Sequence, residues 1–570
     1  MRQTAEMHEL SSARSGIRAV TALSIALLLG ACAGTGKQAP DDTEALPDDP
    51  NALMLGAEVA LQRGQYLAAS SAYVKAAQNA HDETLAEQAT KISFEHHQWT
   101  LVLAGAERWL ELNQTNEEAR RYAAFAALHL YQIDRAAEHL TFLLDSAFIN
   151  PPAGFLALLP QLGNEGSPAA TTAVLQKLVL KYPDLTEAHY ALGRAALHSE
   201  NFALAFQHAQ KARELRPYWS PAGLLLAQVQ LIRGENDAAL ATAKAVVDQD
   251  GQDSYRLEYA LMKLQAGQEE EGRKDLNALT ASETVAGVAE RALADIDFQL
   301  GDRDAAAQRY GNLLSSGRFV YESLFYLGAV AELRDAPDEA MQIYSRVTGG
   351  DLAMAAQTRV ARLKLQKEGL DAGLRHLEEF ASTRPQYTLD AITARAGLLS
   401  ASGDSAGAIA LLDSALKEYP DAAELRFARV FQLEGADHVD EAVRELRKLV
   451  ADRPGDPVAE NALGYTLVDR TGKSREGLKL IDQALLQTPD SGAVLDSMGW
   501  ALHRVKRDAE ALSYLQRAKL RISDPEVDVH LIDVLIALGR KDEAQAVLKE
   551  ASGRYPDNED LQSRLKSLHE

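Results

Sequence analysis

Apolar and polar positions along most of this chain alternate with a helical period, and turn residues interrupt them at short, regular intervals. The stretch HYALGRAALHSENFALAFQHAQKARELRP (189–217) shows the unit: an apolar-faced helix, a polar turn, a second apolar-faced helix and a closing proline. Similar units recur as LFYLGAVAELRDAPDEAMQIYSRV (324–347) and VLDSMGWALHRVKRDAEALSYLQRA (494–518). One position measures the period, a small residue early in each second helix: Ala69, Val102, Ala136, Thr171, Ala205, Ala239, Gly272, Ala306, Ala340, Gly373, Ala408, Ala442, Gly477, Ala511 and Ala544. Each step is 33 to 35 residues, and 13 of the 15 positions are Ala or Gly. Two antiparallel helices approach closely only where one offers a small side chain, and a bulky one there would overpack by about 1–3 kcal/mol. Five residues earlier, Gly64, Gly166, Gly234, Gly267, Gly301, Gly472 and Gly539 are placed to end the first helix at positive φ. Pro183, Pro217, Pro385, Pro420, Pro454, Pro489 and Pro556 mark the exit of the second helix.

Composition agrees with helices. Ala and Leu, strong helix formers, are abundant, and aromatics make up only 6% of the 570 residues. A chain this long exceeds the roughly 250–300 residues at which one core stops growing, so it is multi-domain or a repeat array. A net charge of −23 argues against nucleic acid as a partner. A single cysteine allows no intramolecular disulfide. The array is not uniform: Val102 and Thr171 stand at small positions, Trp99 and Trp109 lie nearby, and INPPAGFLALLPQLGNEGSP (149–168) puts Pro160 inside a first helix. That predicts a kink or a module boundary there.

Leu192-Gly193, Phe202, Ala205, Ala212 and Pro217 fall at the spacing of the tetratricopeptide repeat, which the chain resembles from residue 50 to 556. The resemblance implies an all-α, right-handed superhelical solenoid of about fifteen helix-turn-helix units. Residues 51–168 read as degenerate repeats, 169–556 as regular ones, and 557–570 as a polar capping helix.

Ahead of the repeats, Arg2, Arg14 and Arg18 precede an apolar run from Ala19 to Leu29 that is shorter than the roughly 20 residues needed to span a bilayer. Leu29-Gly30-Ala31-Cys32 resembles the lipobox of bacterial lipoproteins, with Gly30 a less common choice. The resemblance implies cleavage after residue 31 and a lipid-modified Cys32 as the new first residue. Ala33 in place of an inner-membrane-retaining aspartate implies the outer membrane, facing the periplasm of a Gram-negative bacterium. Residues 32–50, rich in Gly, Pro and Asp, read as a disordered acidic tether. Met7 is an alternative start to Met1.

No catalytic constellation emerges, and the chain is expected to be no enzyme, with no cofactor and no metal. RTGKS (470–474) ends like a P-loop, but Leu467 stands where the loop needs its first glycine. Phe94-Glu95-His96-His97 puts two histidines side by side, pointing different ways on a helix, and neither HExxH nor Gly-x-Ser-x-Gly occurs.

What remains is surface. In tetratricopeptide solenoids the first helix of each unit lines the concave side. ENALGYTLVDR (460–470) would turn Asn461, Tyr465 and Asp469 inward, and LDSMGWALHR (495–504) would do so for Asp496, Trp500, His503 and Arg504. Aromatics and arginine dominate binding hot spots, although Trp500 could equally pack between helices. NALGYTLVDR and VLDSMGWALHR make the C-terminal third similar to LbcA-like lipoproteins, partners of a periplasmic C-terminal processing serine protease; NlpI-like adaptors are more distant. The resemblance implies a membrane-anchored adaptor that binds the protease and presents cell-wall hydrolases to it. The rival expectation is an assembly or pilotin-like scaffold for a secretin, pilus or polysaccharide exporter. Long solenoid edges also leave homo-oligomerisation open.

Overall fold

All fifteen small positions are buried, each where the two helices of a unit cross. At Gly477 an added Cβ would collide with the Gly464 carbonyl oxygen and lie 2.6 Å from Val468 Cγ2; at Gly373 it would lie 2.7 Å from the Ala361 carbonyl oxygen. Thr171, the polar exception, donates its hydroxyl to the Leu162 carbonyl at 3.0 Å and is thereby satisfied in the core.

The computed structural model describes residues 49–146, 148, 150–556 and 558–569, with side chains as far as Arg564. The lipobox residues Leu29, Gly30 and Ala31, Cys32 and the tether up to residue 48 lie outside the described residues. The described residues form 31 α-helices, one short 3-10 turn (Pro385–Tyr387) and no strand. The helices pair as fifteen units, from α1 (Pro50–Gln62) with α2 (Tyr66–Asn79) to α29 (Pro525–Ala537) with α30 (Lys541–Arg554), followed by α31 (Glu559–His569).

The turn between paired helices adopts positive φ five residues before the small position in thirteen units. Glycine serves at Gly64, Gly234, Gly267, Gly301, Gly403, Gly472 and Gly539, while His97, Tyr131, Glu200, Asp335, Asp437 and Lys506 hold the same conformation despite their side chains. Gly166 departs from the expectation: its φ is −113°, and it closes α7 (Pro151–Glu165) in extended conformation, stacked on Thr171 of α8 (Pro168–Lys181). The disturbance around Pro160 therefore takes a specific form. Helix α7 runs through the proline, which has no N–H to offer the Leu156 carbonyl, but it packs mainly on α9 (Thr186–His198) and only lightly on its own partner α8. Apolar core nevertheless runs without interruption from Ala124 to Ala195 across this unit.

Elsewhere the paired helices share a recurrent polar crossing. Arg120–His139 (3.4 Å), His189–His208 (2.7 Å), Glu290–Arg309 (2.9 Å), Gln357–His376 (2.7 Å) and Arg426–Glu445 (3.0 Å) join side chains 19 residues apart. In each pair the second residue follows the small position by three, so one helical turn carries both the close approach and the polar bond.

Candidate functional site: an aromatic and acidic groove on the inner wall

Among the described residues, successive first helices pack against one another along much of the chain, whereas successive second helices pack closely chiefly between units 1 and 2 and between units 3 and 4. Crowding of the first helices puts them on the inside of the curve. Among them, α23 (Ala423–Gly435), α25 (Pro457–Arg470), α27 (Gly492–Arg504) and α29 form the inner wall of the last four units.

On this wall six of the seven residues expected to face inward interlock. The Trp500 ring stacks on His530 (centroids 4.2 Å apart, 14° between planes) and on His503 (5.2 Å, 24°), with Tyr465 tilted against His530 at 6.3 Å. Trp500 Nε1 donates to Asp469 Oδ1 at 3.1 Å; the Arg504 guanidinium lies 3.7 Å from the same oxygen and 5.5 Å from the indole. His503 is fixed by Asp508 (2.7 Å) and His530 by Asp496 (2.9 Å), while Tyr465 donates its hydroxyl to Glu526. Trp500 packs against the terminal core with one part of its ring and stays partly exposed with the rest. Asp496 is buried behind His530. Asn461 stands one turn before Tyr465 on α25, and its side-chain carbonyl oxygen is buried without a hydrogen-bond partner, so that atom is not offered to a ligand in the groove.

Sequence reading missed four members. Glu526 and His530 come from α29, and Glu434 from α23, where its carboxylate accepts from Thr466 at 2.7 Å. Phe431 is 71% exposed on α23. A register signal for it existed: Phe431 precedes the turn residue Asp437 by the same six positions by which Trp500 precedes Lys506.

The electrostatics are those of closely spaced carboxylates. Burial raises the Glu434 carboxyl above its usual range, with the Asp469 and Glu526 charges adding to it and the Thr466 hydrogen bond and Arg470 opposing. Burial alone would push the His530 imidazolium towards neutrality, but the Asp496 hydrogen bond and the Asp496, Glu526 and Asp469 charges outweigh it and hold its pKa above the usual value. A protonated imidazole lying flat on Trp500 is a favourable cation–π contact. The groove therefore presents partly exposed aromatic faces set in negative potential. No cluster of His, Cys, Asp and Glu suited to a metal occurs among the described residues, and none of their helices is long and apolar enough to cross a membrane.

Comparison with known proteins agrees with this architecture. One tetratricopeptide repeat model matches residues 399–464 and 506–568, and a second matches 162–218 and 291–353. A TPR repeat-containing protein of Pseudomonas aeruginosa is 27% identical over 540 residues, 90% of each chain. Among solved structures, a thermophilic TPR protein of Thermus thermophilus is 23% identical, covering 32% of this chain and 98% of its own, with a TM-score of 0.29. Yeast Tom70 is 13% identical, covering 91% and 94%, with a TM-score of 0.34. The matched models describe repeats, a fold that typically carries no catalytic machinery. With fifteen paired-helix units and repeat matches in four separate stretches, the described residues have the architecture of a tetratricopeptide-repeat solenoid, a fold suited to protein–protein interaction.

Proposed function

We propose that the protein is a lipid-anchored adaptor of the outer membrane, facing the periplasm, that holds a C-terminal processing serine protease and presents cell-wall hydrolases to it. The observation that carries this reading is the groove of Tyr465, Trp500 and Arg504, partly exposed residues of the types that dominate protein-binding hot spots, with exposed Phe431 at the register of Trp500 two units earlier. It lies in the segment whose sequence resembles LbcA-like lipoproteins, and the lipobox ending at Cys32 supports the anchor. In this reading catalysis belongs to the partner. The adaptor contributes effective concentration, since two proteins held on one scaffold meet at the local rather than the bulk concentration.

The test is affinity capture from envelope extract with mass spectrometry, using the mature chain and the Trp500→Ala/Arg504→Ala variant as baits. The wild type should recover a processing protease together with cell-wall hydrolases, and the variant should recover at least about tenfold less protease, as loss of one hot spot implies. Far-UV circular dichroism of the two baits should be the same. Recovery of secretin, pilus or exporter subunits alone would replace the adaptor reading with that of an assembly scaffold.

A further inference from the structure

Units 1, 2, 3, 5 and 6 return against units 11 to 14, along a seam that joins residues some 290 to 350 positions apart. At one end two helices lack caps of their own. Neither Gln65 nor Gln98, the N-cap residues of α2 and α4 (Trp99–Leu112), caps its helix with its side chain. The missing acceptors come from the other side. Glu418 accepts from the Leu67 N–H at 2.7 Å, and Asp421 accepts from the Thr100 N–H at 2.9 Å. Each carboxylate thus sits on the positive end of a helix some 320 to 350 residues away. Gln98 in turn donates to the Glu418 main-chain carbonyl at 2.7 Å.

Further along, Arg453 donates to the His129 carbonyl at 2.7 Å, Asn201 to the Gln487 carbonyl at 3.0 Å, and the Asp490 N–H to the Glu200 carbonyl at 3.2 Å. Arg521 closes the far end, 4.7 Å over the Phe202 ring. The order is regular. Unit 2 meets unit 11 and unit 3 meets unit 12, but unit 5 meets unit 13 and unit 6 meets unit 14. Between these two groups of contacts lies unit 4, the unit with the loosened helix pair. There the two sides stand apart around a cleft of about 610 Å³, lined by Tyr131, Lys177, Leu180, Leu204, Pro454 and Gln487.

Among the described residues, neighbouring units share apolar core clusters, whereas the contacts across the seam are chiefly hydrogen bonds and cation–ring contacts, with Tyr66 packed onto the apolar cluster of unit 11. Parting it exchanges protein hydrogen bonds for bonds to water, and that exchange leaves each such bond only modestly stabilising. Parting two units elsewhere exposes buried apolar surface. The positive-φ residues reinforce the point. In units 2, 3 and 5 the strained turn carries His97, Tyr131 and Glu200, where glycine would fit at no cost. Tyr131 lies 5.7 Å from the Arg453 guanidinium, and Glu200 supplies the carbonyl for Asp490.

We propose that the solenoid is a split ring closed by a polar clasp, and that it opens along this seam with every repeat still folded, giving a protein partner access to the inner wall. The experiment places spin labels at the exposed Arg63→Cys and Lys417→Cys, flanking Leu67 and Glu418, in a full-length chain carrying Cys32→Ser so that no other thiol reacts. Double electron–electron resonance should give one narrow, short distance in this parent. Adding Glu418→Gln, Asp421→Asn and Arg453→Gln, which remove the charges of the clasp, should raise the long-distance population about tenfold or more, with unchanged far-UV circular dichroism. A parent that is already broad overturns the closed ring. A narrow distribution that survives the three substitutions overturns the clasp, and loss of helicity accompanying the widening overturns opening between folded repeats.

Discussion

At Gly477 the backbone of one helix meets the backbone of its partner, because Gly464 faces it across the crossing and neither carries a side chain. Moving the Val468 side chain would not relieve the clash, because the Gly464 carbonyl is backbone, so the helices themselves must part. Gly477→Ala should therefore destabilise the protein by about 1–3 kcal/mol, although alanine is the better helix former. Gly311 makes the opposite case. It lies within the helix Arg303–Ser315 at ordinary negative φ, and an added Cβ there meets nothing within 4 Å. Gly311→Ala should stabilise by about 0.5–1 kcal/mol through the smaller entropy lost on folding. Urea unfolding of both variants beside the parent checks the pair: midpoints that move in the same direction would refute the argument. This crossing was legible in the sequence because a small residue recurring every 33 to 35 positions is imposed by geometry, whatever else the unit does. Thr171 shows the limit of that rule, since a polar residue can take the place when a helix end offers it a carbonyl.

In three of the helix pairs, a histidine three residues past the small position creates a sensitivity to acid. Burial holds His208 at about 4, with His189 adding to the effect. Burial also holds His139 at about 4, assisted by the Arg120 charge, and His376 at about 4, assisted by Lys364. All three are neutral in the folded protein and take up a proton on unfolding below pH 6.5. Their contribution is fully present above that pH and drains away as pH falls towards 4, at about 1.4 kcal/mol per pH unit for each histidine. Replacing His208 by Gln removes one proton uptake, so the stability lost between pH 6 and pH 5 should shrink by about 1.2 kcal/mol. Urea midpoints at the two pH values measure it, and an unchanged loss would exclude His208 as a source. The paired helices themselves were readable from turn glycines and exit prolines, but these polar crossings were not, because Arg, His, Glu and Gln alternate there without a shared residue type. The groove was half legible for the same reason. Comparing two units gave Tyr465, Asp469 and Trp500, but Glu526 and His530 enter from the next first helix, where no aromatic motif drew attention to them.

The whole molecule combines two kinds of connectivity, and only one leaves a trace in the chain. Contacts between neighbouring units repeat with the sequence period, as expected of a quasi-one-dimensional array. The seam depends instead on where the accumulated curvature brings unit 2 back to unit 11, and its residues are single Glu, Asp, Gln and Arg side chains at loop ends. No local pattern marks them. The apolar core of the first unit is already supplied by α1 and α2, through Leu53, Ala57, Tyr73 and Ala76, packed on Leu85 and Ala89 of the second. The described repeats thus bury their own core, and the proposed lipid is a separable property of Cys32. Stable anchoring takes more than one acyl chain, each buried CH₂ contributing about 0.8 kcal/mol, so loss of the acceptor thiol should remove attachment altogether rather than weaken it. Cys32→Ser should leave helicity and melting of the body unchanged while shifting the protein from washed outer-membrane fractions to the soluble fraction. Continued sedimentation of that variant with outer membranes would show that attachment comes from elsewhere on the molecule, and the lipid-anchored reading would fall.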